Sequence, residues 1–96
     1  MKIPKTLRIG AVLWTVQQVP PDEFDGGSAC GDTNRALALI RINRDLPEDM
    51  KEQTFMHELL HAIDFQLDHD VVELMAALLH QVFSANGICF DPPKKV

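Results

Sequence analysis

Cysteine is scarce in this 96-residue chain. Cys30 and Cys89 are the only two, widely spaced and with no CxxC pairing. That excludes a disulfide framework and leaves two reduced thiols, as in a cytosolic protein, as the expectation. Long apolar runs are missing too. None approaches the roughly 20 residues that span a bilayer, and residues 1–8 are polar with no apolar core of a signal peptide. A soluble cytoplasmic protein, without a membrane partner, is the expected setting. Basic residues are outnumbered, nine Lys and Arg against 14 Asp and Glu, for a net charge of -5. That opposes a nucleic-acid partner, which favours a basic face. Internal repeats and low-complexity tracts are also absent, and nothing indicates an oligomeric state.

What is present suits one small globular domain spanning 1–96. Hydrophobic content of 46% against 24% charged is ordinary for such a domain, and a chain this size builds one modest core. The pattern predicts an α+β fold, with strands in about 1–46 and helices after. Residues 6–19 read as a hairpin turning at Gly10-Ala11, its second arm rich in β-branched and aromatic residues. A Pro- and Gly-bearing loop over 20–28 follows. Residues 29–32 form a short strand, turned back at Thr33-Asn34-Arg35. Residues 36–43 are the best strand pattern, with Ile40 and Ile42 on one face and Leu37 and Leu39 on the other. Its early part looks buried on both faces, and Arg41 and Asn43 suggest an exposed edge later.

The period then changes. Asp45-Leu46-Pro47-Glu48-Asp49 reads as a helix start capped by Asp45, and a helix is predicted over 47–66. Its wide stripe of Phe55, Leu59, Ile63, Met56, Leu60 and Leu67 implies that it is largely buried. After a polar break at 66–70, a second helix is predicted over about 70–86. Its apolar face is expected from Val71, Leu74, Leu78 and Val82 with Val72, Met75 and Leu79. Asn86-Gly87 is its exit, and 88–96 is an irregular tail.

The first helix carries His57-Glu58-Leu59-Leu60-His61, an HExxH pattern. Residues four apart share a helix face, so both imidazoles reach one metal ion. Zinc takes N, S and O donors, and a catalytic zinc keeps three protein ligands and a place for water. It lowers the pKa of that water. Glu58 is then the candidate general base, passing the proton to the leaving amine. Several residues compete as third ligand. Asp64 either orients a ligand histidine or is a solvated acid at the helix end. His69 lies in the interhelix loop and can turn inward. Glu73 reaches the metal from the second helix, or closes a capping box with Asp70. If Asp68 caps instead, Glu73 falls one turn inside and is free to ligate. His80 shares a face with Glu73; it is either a core or surface histidine or a donor to the oxyanion of a tetrahedral intermediate.

Together, the run from Ile42 to Pro47, Gln53-Thr54-Phe55-Met56 leading into HExxH, Val72-Glu73 with its apolar helix, and the opening Ile3-Pro4-Lys5-Thr6-Leu7-Arg8-Ile9-Gly10 resemble small phage- and prophage-encoded zinc peptidases. These are similar to the ImmA/IrrE-type metallopeptidases and the minimal gluzincins. The resemblance implies a zincin-like fold: a small twisted antiparallel or mixed sheet against the HExxH helix, and a second helix with the third ligand. It implies Zn2+ held by His57, His61 and Glu73, and Glu58 as the catalytic acid/base. His80 stands where such proteins often have Tyr or His. One departure is Ala77, where larger gluzincins often place an Asp four residues after the ligand Glu.

The expected activity is therefore zinc-dependent hydrolysis of peptide bonds in a peptide or protein substrate. The substrate would pair along a sheet edge at 36–43 or 30–32. The alternative is a catalytically weak or inactive zinc-binding module that docks a protein. Latency, with Cys89, Asp91 or the terminal carboxylate of Val96 folded back onto the metal, is a further expectation.

Overall fold

The computed structural model describes residues 2–24 and 29–90. Among them, four strands form one mixed sheet and two helices pack behind it. β1 (Thr6–Ile9) and β2 (Val12–Val19) make the N-terminal hairpin. Its turn is at Gly10, where φ is +61°, a conformation that glycine adopts without steric cost. Along β2, Trp14 and Val16 point into the core while their neighbours are exposed, the period-2 signature of a half-buried strand. A single 3-10 turn at Pro21–Glu23 follows.

β3 (Gly31–Asn34) and β4 (Leu39–Asn43) form a second antiparallel hairpin, and β4 lies parallel to β2. The strand order is β1-β2-β4-β3. This corrects two expectations. Thr33 and Asn34 belong to a strand, and the chain turns back at 35–38, where Ala38 adopts φ +50°. β4 is no edge, being paired on both sides; β3 is the edge beside it, and β1 the opposite one. Asn43 is buried, because its backbone N–H donates to the Cys30 carbonyl at 2.8 Å and its Oδ1 accepts from the Asp45 N–H at 2.9 Å. Leu37, expected inside, is exposed on the turn.

Helix α1 (Glu48–Ile63) lies between the sheet and α2 (His69–Asn86), and so needs two apolar faces. Phe55 and Ala62 join Trp14, Val16, Ile40 and Ile42 on the sheet side. Met56 and Leu60 join Val72 and Ala76 on the other. Phe55, Ile40 and Ile42 are wholly buried, each worth about 1.5–3 kcal/mol over an exposed position. The expected apolar stripe is realised in Phe55, Met56 and Leu60 and in half-buried Leu59, but Ile63 is exposed and Leu67 lies past the end of the helix. The helix begins after Pro47, without a side-chain cap from Asp45. It stops at Ile63 instead of running to 66, because Asp64 is extended and its Oδ1 accepts the Gln66 N–H at 3.0 Å. A carboxylate that bonds the backbone two residues on makes a turn in place of a helix.

The second helix ends as expected, with Gly87 left-handed at φ +64°. Its buried side differs from expectation. Val72 and Ala76, with Leu79 and Phe83 beside them, face α1, whereas Leu74, Leu78 and Val82 are exposed. The helix is apolar nearly all round, so its periodicity does not choose the face; the fit of Val72 and Ala76 against Met56 and Leu60 does. Past Gly87, Phe90 wedges between Phe55 (ring centroids 5.4 Å) and Phe83 (5.7 Å). No helix among the described residues is long and apolar enough to cross a membrane.

Candidate metal centre

One helical turn separates His57 from His61, and their Nε2 atoms lie 3.0 Å apart. The break after Ile63 is short, so α2 starts close by and its first residue, His69, comes back over α1. The His69 ring lies 5.1 Å from that of His57 and stacks on His61 at 6.2 Å, with 17° between the planes. Each of the three imidazoles offers a nitrogen, and those three atoms lie within 4.8 Å of one another. Asp68 holds the N-cap position of α2. Glu73 therefore falls inside the helix, and its Oε1 accepts from His57 Nδ1 at 2.9 Å and stands 3.7 Å from His69 Nε2.

Comparison with family models, curated proteins and solved structures finds no match to the chain. The site therefore has to be judged on its own chemistry.

The donor set fits zinc. With Zn–N bonds of about 2.0–2.1 Å, two ligand nitrogens of a tetrahedron are about 3.3 Å apart, close to the His57–His61 gap of 3.0 Å. Metal binding requires neutral imidazoles. Burial holds the His57 pKa below its ordinary value, the Glu73 carboxylate opposes this, and His61 and His69 add to the lowering. With Nδ1–H given to Glu73, His57 keeps the Nε2 lone pair on the side of His61. Glu73 thus stands where a carboxylate either ligates directly or orients a ligand histidine.

Glu58 follows His57 on α1 and is buried, 7% exposed. Its Oε1 accepts the Thr33 hydroxyl at 2.8 Å, and its Oε2 is 4.0 Å from His57 Nε2. Burial pushes its pKa up to about 6, against the Thr33 hydrogen bond; Asp32 and Glu73 also raise it, and His69 lowers it. The closeness of β3 to α1 depends on Gly31. A Cβ there would sit 2.7 Å from the Arg41 carbonyl oxygen and 2.8 Å from Thr54 Cγ2, too near for either to stay in place. On one side of Glu58 a cavity of about 420 Å³ opens between Cys30, Thr54, His57, His69 and Glu73. On the other a hollow of about 360 Å³ is lined by Thr33, Arg35, His61 and Phe65. Arg35 lies over the Phe65 ring at 4.5 Å. The two hollows form a groove along β3 with Glu58 at its middle.

His57, Glu58, His61 and Glu73 are thus brought together. His80 is not. It hydrogen-bonds Glu52 Oε1 at 2.9 Å and Ser84 at 3.2 Å, near Asp49, and lines neither hollow. Glu52 lines a separate hollow with Ile3, Thr15 and Val16, so its bond holds His80 away from the groove. Asp64 bonds the Gln66 backbone, the role of a helix-end acid. Cys89 is exposed and outside the histidine cluster, while Asp91 and Val96 of the latency expectation lie outside the described residues. Sequence reasoning gave His69 little weight and missed Thr33. The spacing of His69 from Glu73, four residues on one helix face, was the available signal. Thr33 meets Glu58 only through the tertiary fold, and nothing local announces it.

Proposed function

We propose that the chain is a zinc-dependent peptidase, zincin-like in fold and related in kind to the small ImmA/IrrE-type enzymes. The observation that carries this reading is Glu58: a buried carboxyl, hydrogen-bonded by a sheet-edge residue and set between the histidine cluster and an open groove. His57 and His61 would hold the ion, with a further donor from the first turns of α2, where Glu73 stands. The ion, when bound, supplies Lewis acidity and lowers the pKa of water beside it.

The rest falls to the chain. Glu58, whose carboxyl pKa is raised by burial in metal-free protein, is the group placed to take a proton from the attacking water and give it back to the leaving amine. Thr33 fixes Oε1 and leaves Oε2 turned towards His57. Cys30 and Asn43 share a ladder hydrogen bond, so the alternation of an antiparallel pair turns the Gly31 and Thr33 backbone groups outward. Among the described residues no strand covers that edge. An extended peptide adding there as a strand would cross Glu58 from one hollow to the other. Exposed Phe65 and Arg35 offer apolar and cationic contacts at one end.

A second reading, a zinc-binding interaction module with little or no catalysis, draws on the density of donors. Three imidazoles cluster here with Glu73 beside two of them, and a site closed by four such donors would be structural. A peptide-library screen of wild type and Glu58→Gln separates the two. Cleavage by wild type that Gln abolishes, with zinc content unchanged, supports the peptidase. Cleavage that survives Glu58→Gln overturns the mechanism, and zinc binding with no cleavage of any peptide favours the module.

A further inference from the structure

The peptidase reading needs three protein donors and a free position; three imidazole nitrogens already lie within 4.8 Å of one another, and Glu73, the donor expected from α2, stands beside two of those rings. We infer that His69 is a metal ligand in its own right, a displaceable fourth donor that occupies the position water or substrate must take. This deepens the proposed function and rests on it.

Three observations place His69 there. Its ligand nitrogen falls within 4.8 Å of those of both His57 and His61. Its ring is stacked on His61, so it approaches the cluster from the side of α2. Glu73 Oε1 lies 3.7 Å from its Nε2, so one carboxylate touches two of the three imidazoles. His69 also differs from the other donors in how it is held. His57 is largely covered between the helices, whereas the His69 side chain is 67% exposed on the first turn of α2. His69 is not among the apolar residues that pack α2 on α1, where Val72 is the first buried one, so withdrawing it leaves that core in place. A change of one exposed rotamer therefore opens the position. The energy at stake is that of one coordinate bond against one water, so an incoming ligand with its own zinc-binding group competes directly with His69.

The test uses the full-length protein and three probes: zinc, Co2+ as a spectroscopic substitute, and acetohydroxamate as a small external ligand. Wild type is compared with His69→Ala and His69→Gln; both replace an exposed residue, and circular dichroism verifies the fold. The expected result is a zinc Kd weakened on the order of tenfold or more in both variants. The Co2+ visible absorption should lose intensity, as four-coordinate Co2+ gives way to a more hydrated ion. Acetohydroxamate should bind the metal-loaded variants about tenfold more tightly than wild type, having no imidazole to displace. Unchanged zinc affinity and an unchanged Co2+ spectrum would overturn the inference while leaving the zinc-site reading intact. Acetohydroxamate affinity unaltered by either substitution would refute displaceability. Wild type that binds no zinc would bring down the peptidase reading itself, and this inference with it.

Discussion

Replacing Glu58 by Gln in metal-free protein measures what it costs to keep a carboxylate in the groove wall. The carboxyl is buried and its pKa is raised from 4.5 to about 6. A pKa raised by folding means that the folded state favours the protonated form. Below about pH 4.5 Glu58 is protonated in both states, and its contribution to stability is whole. Between pH 4.5 and about 6 the unfolded chain ionises first and that contribution is lost. At about 1.36 kcal/mol for each pH unit, the interval corresponds to about 2 kcal/mol. Gln is neutral throughout and still accepts the Thr33 hydroxyl. The Gln variant should therefore match wild type in acid and be about 2 kcal/mol more stable above about pH 6.5. For a domain of this size that is on the order of 10 °C in Tm. Urea unfolding followed by circular dichroism in chelator, from about pH 4 to pH 8, reads the difference directly. A difference independent of pH, or a wild type more stable than the variant at neutral pH, would refute the reasoning.

The remaining predictions concern the supports of the site. Gly31→Ala should destabilise the fold by about 1–3 kcal/mol, the range for overpacking a tight contact, because the new methyl meets the Arg41 carbonyl and Thr54; thermal melts check it. Thr33→Val should move the Glu58 pKa further upward in metal-free protein, since the lost hydroxyl favoured the ionised form, and carbon-13 titration of the glutamate carboxyls reads it. His80→Ala should lower stability by about 0.5–1.5 kcal/mol, the net worth of one hydrogen bond, while leaving zinc affinity unchanged. Calorimetric zinc titration beside urea unfolding separates those two effects. Phe90→Ala should cost about 2–3 kcal/mol, near the low end for removing a core aromatic because Phe90 is only partly buried; the urea midpoint reports it.

What the sequence made legible was local. Gly10 and Gly87 marked a turn and a helix end because left-handed backbone favours glycine wherever the chain folds. The HExxH helix was legible because its apolar residues cover two faces, and both faces are used. What was not legible depended on contacts between distant segments. The 36–43 segment read as an edge because Arg41 and Asn43 are polar, yet Asn43 is buried by hydrogen bonds to Cys30 and Asp45. The outward face of α2 was unreadable because that helix has apolar residues on nearly every side. His80 was placed by a partner, Glu52, that lies 28 residues away. Within the candidate site, His57 and His61 followed from helical spacing alone. Glu73 was undecided between cap and site because the choice rests on where α2 begins, and the N-cap position fell to Asp68.

The parallel seam between β2 and β4 has a consequence for how the molecule assembles. The β1–β2 hairpin, the β3–β4 hairpin and the α1–α2 pair each join neighbours in the chain. The seam supplies the ladder that ties the first hairpin to the rest of the sheet, pairing Thr15 with Leu39. Closing that loop costs about 3 kcal/mol of chain entropy before any ladder bond rewards it, which makes it a slow, non-local step. His57, Glu58, His61, His69 and Glu73 all lie after the seam, while Gly31 and Thr33 lie within the long connection that it closes. Metal capture and seam closure can thus be timed separately in one refolding experiment. Metal uptake reports on the histidines, and Trp14, the single tryptophan, reports on the hairpin docking beside Ile40.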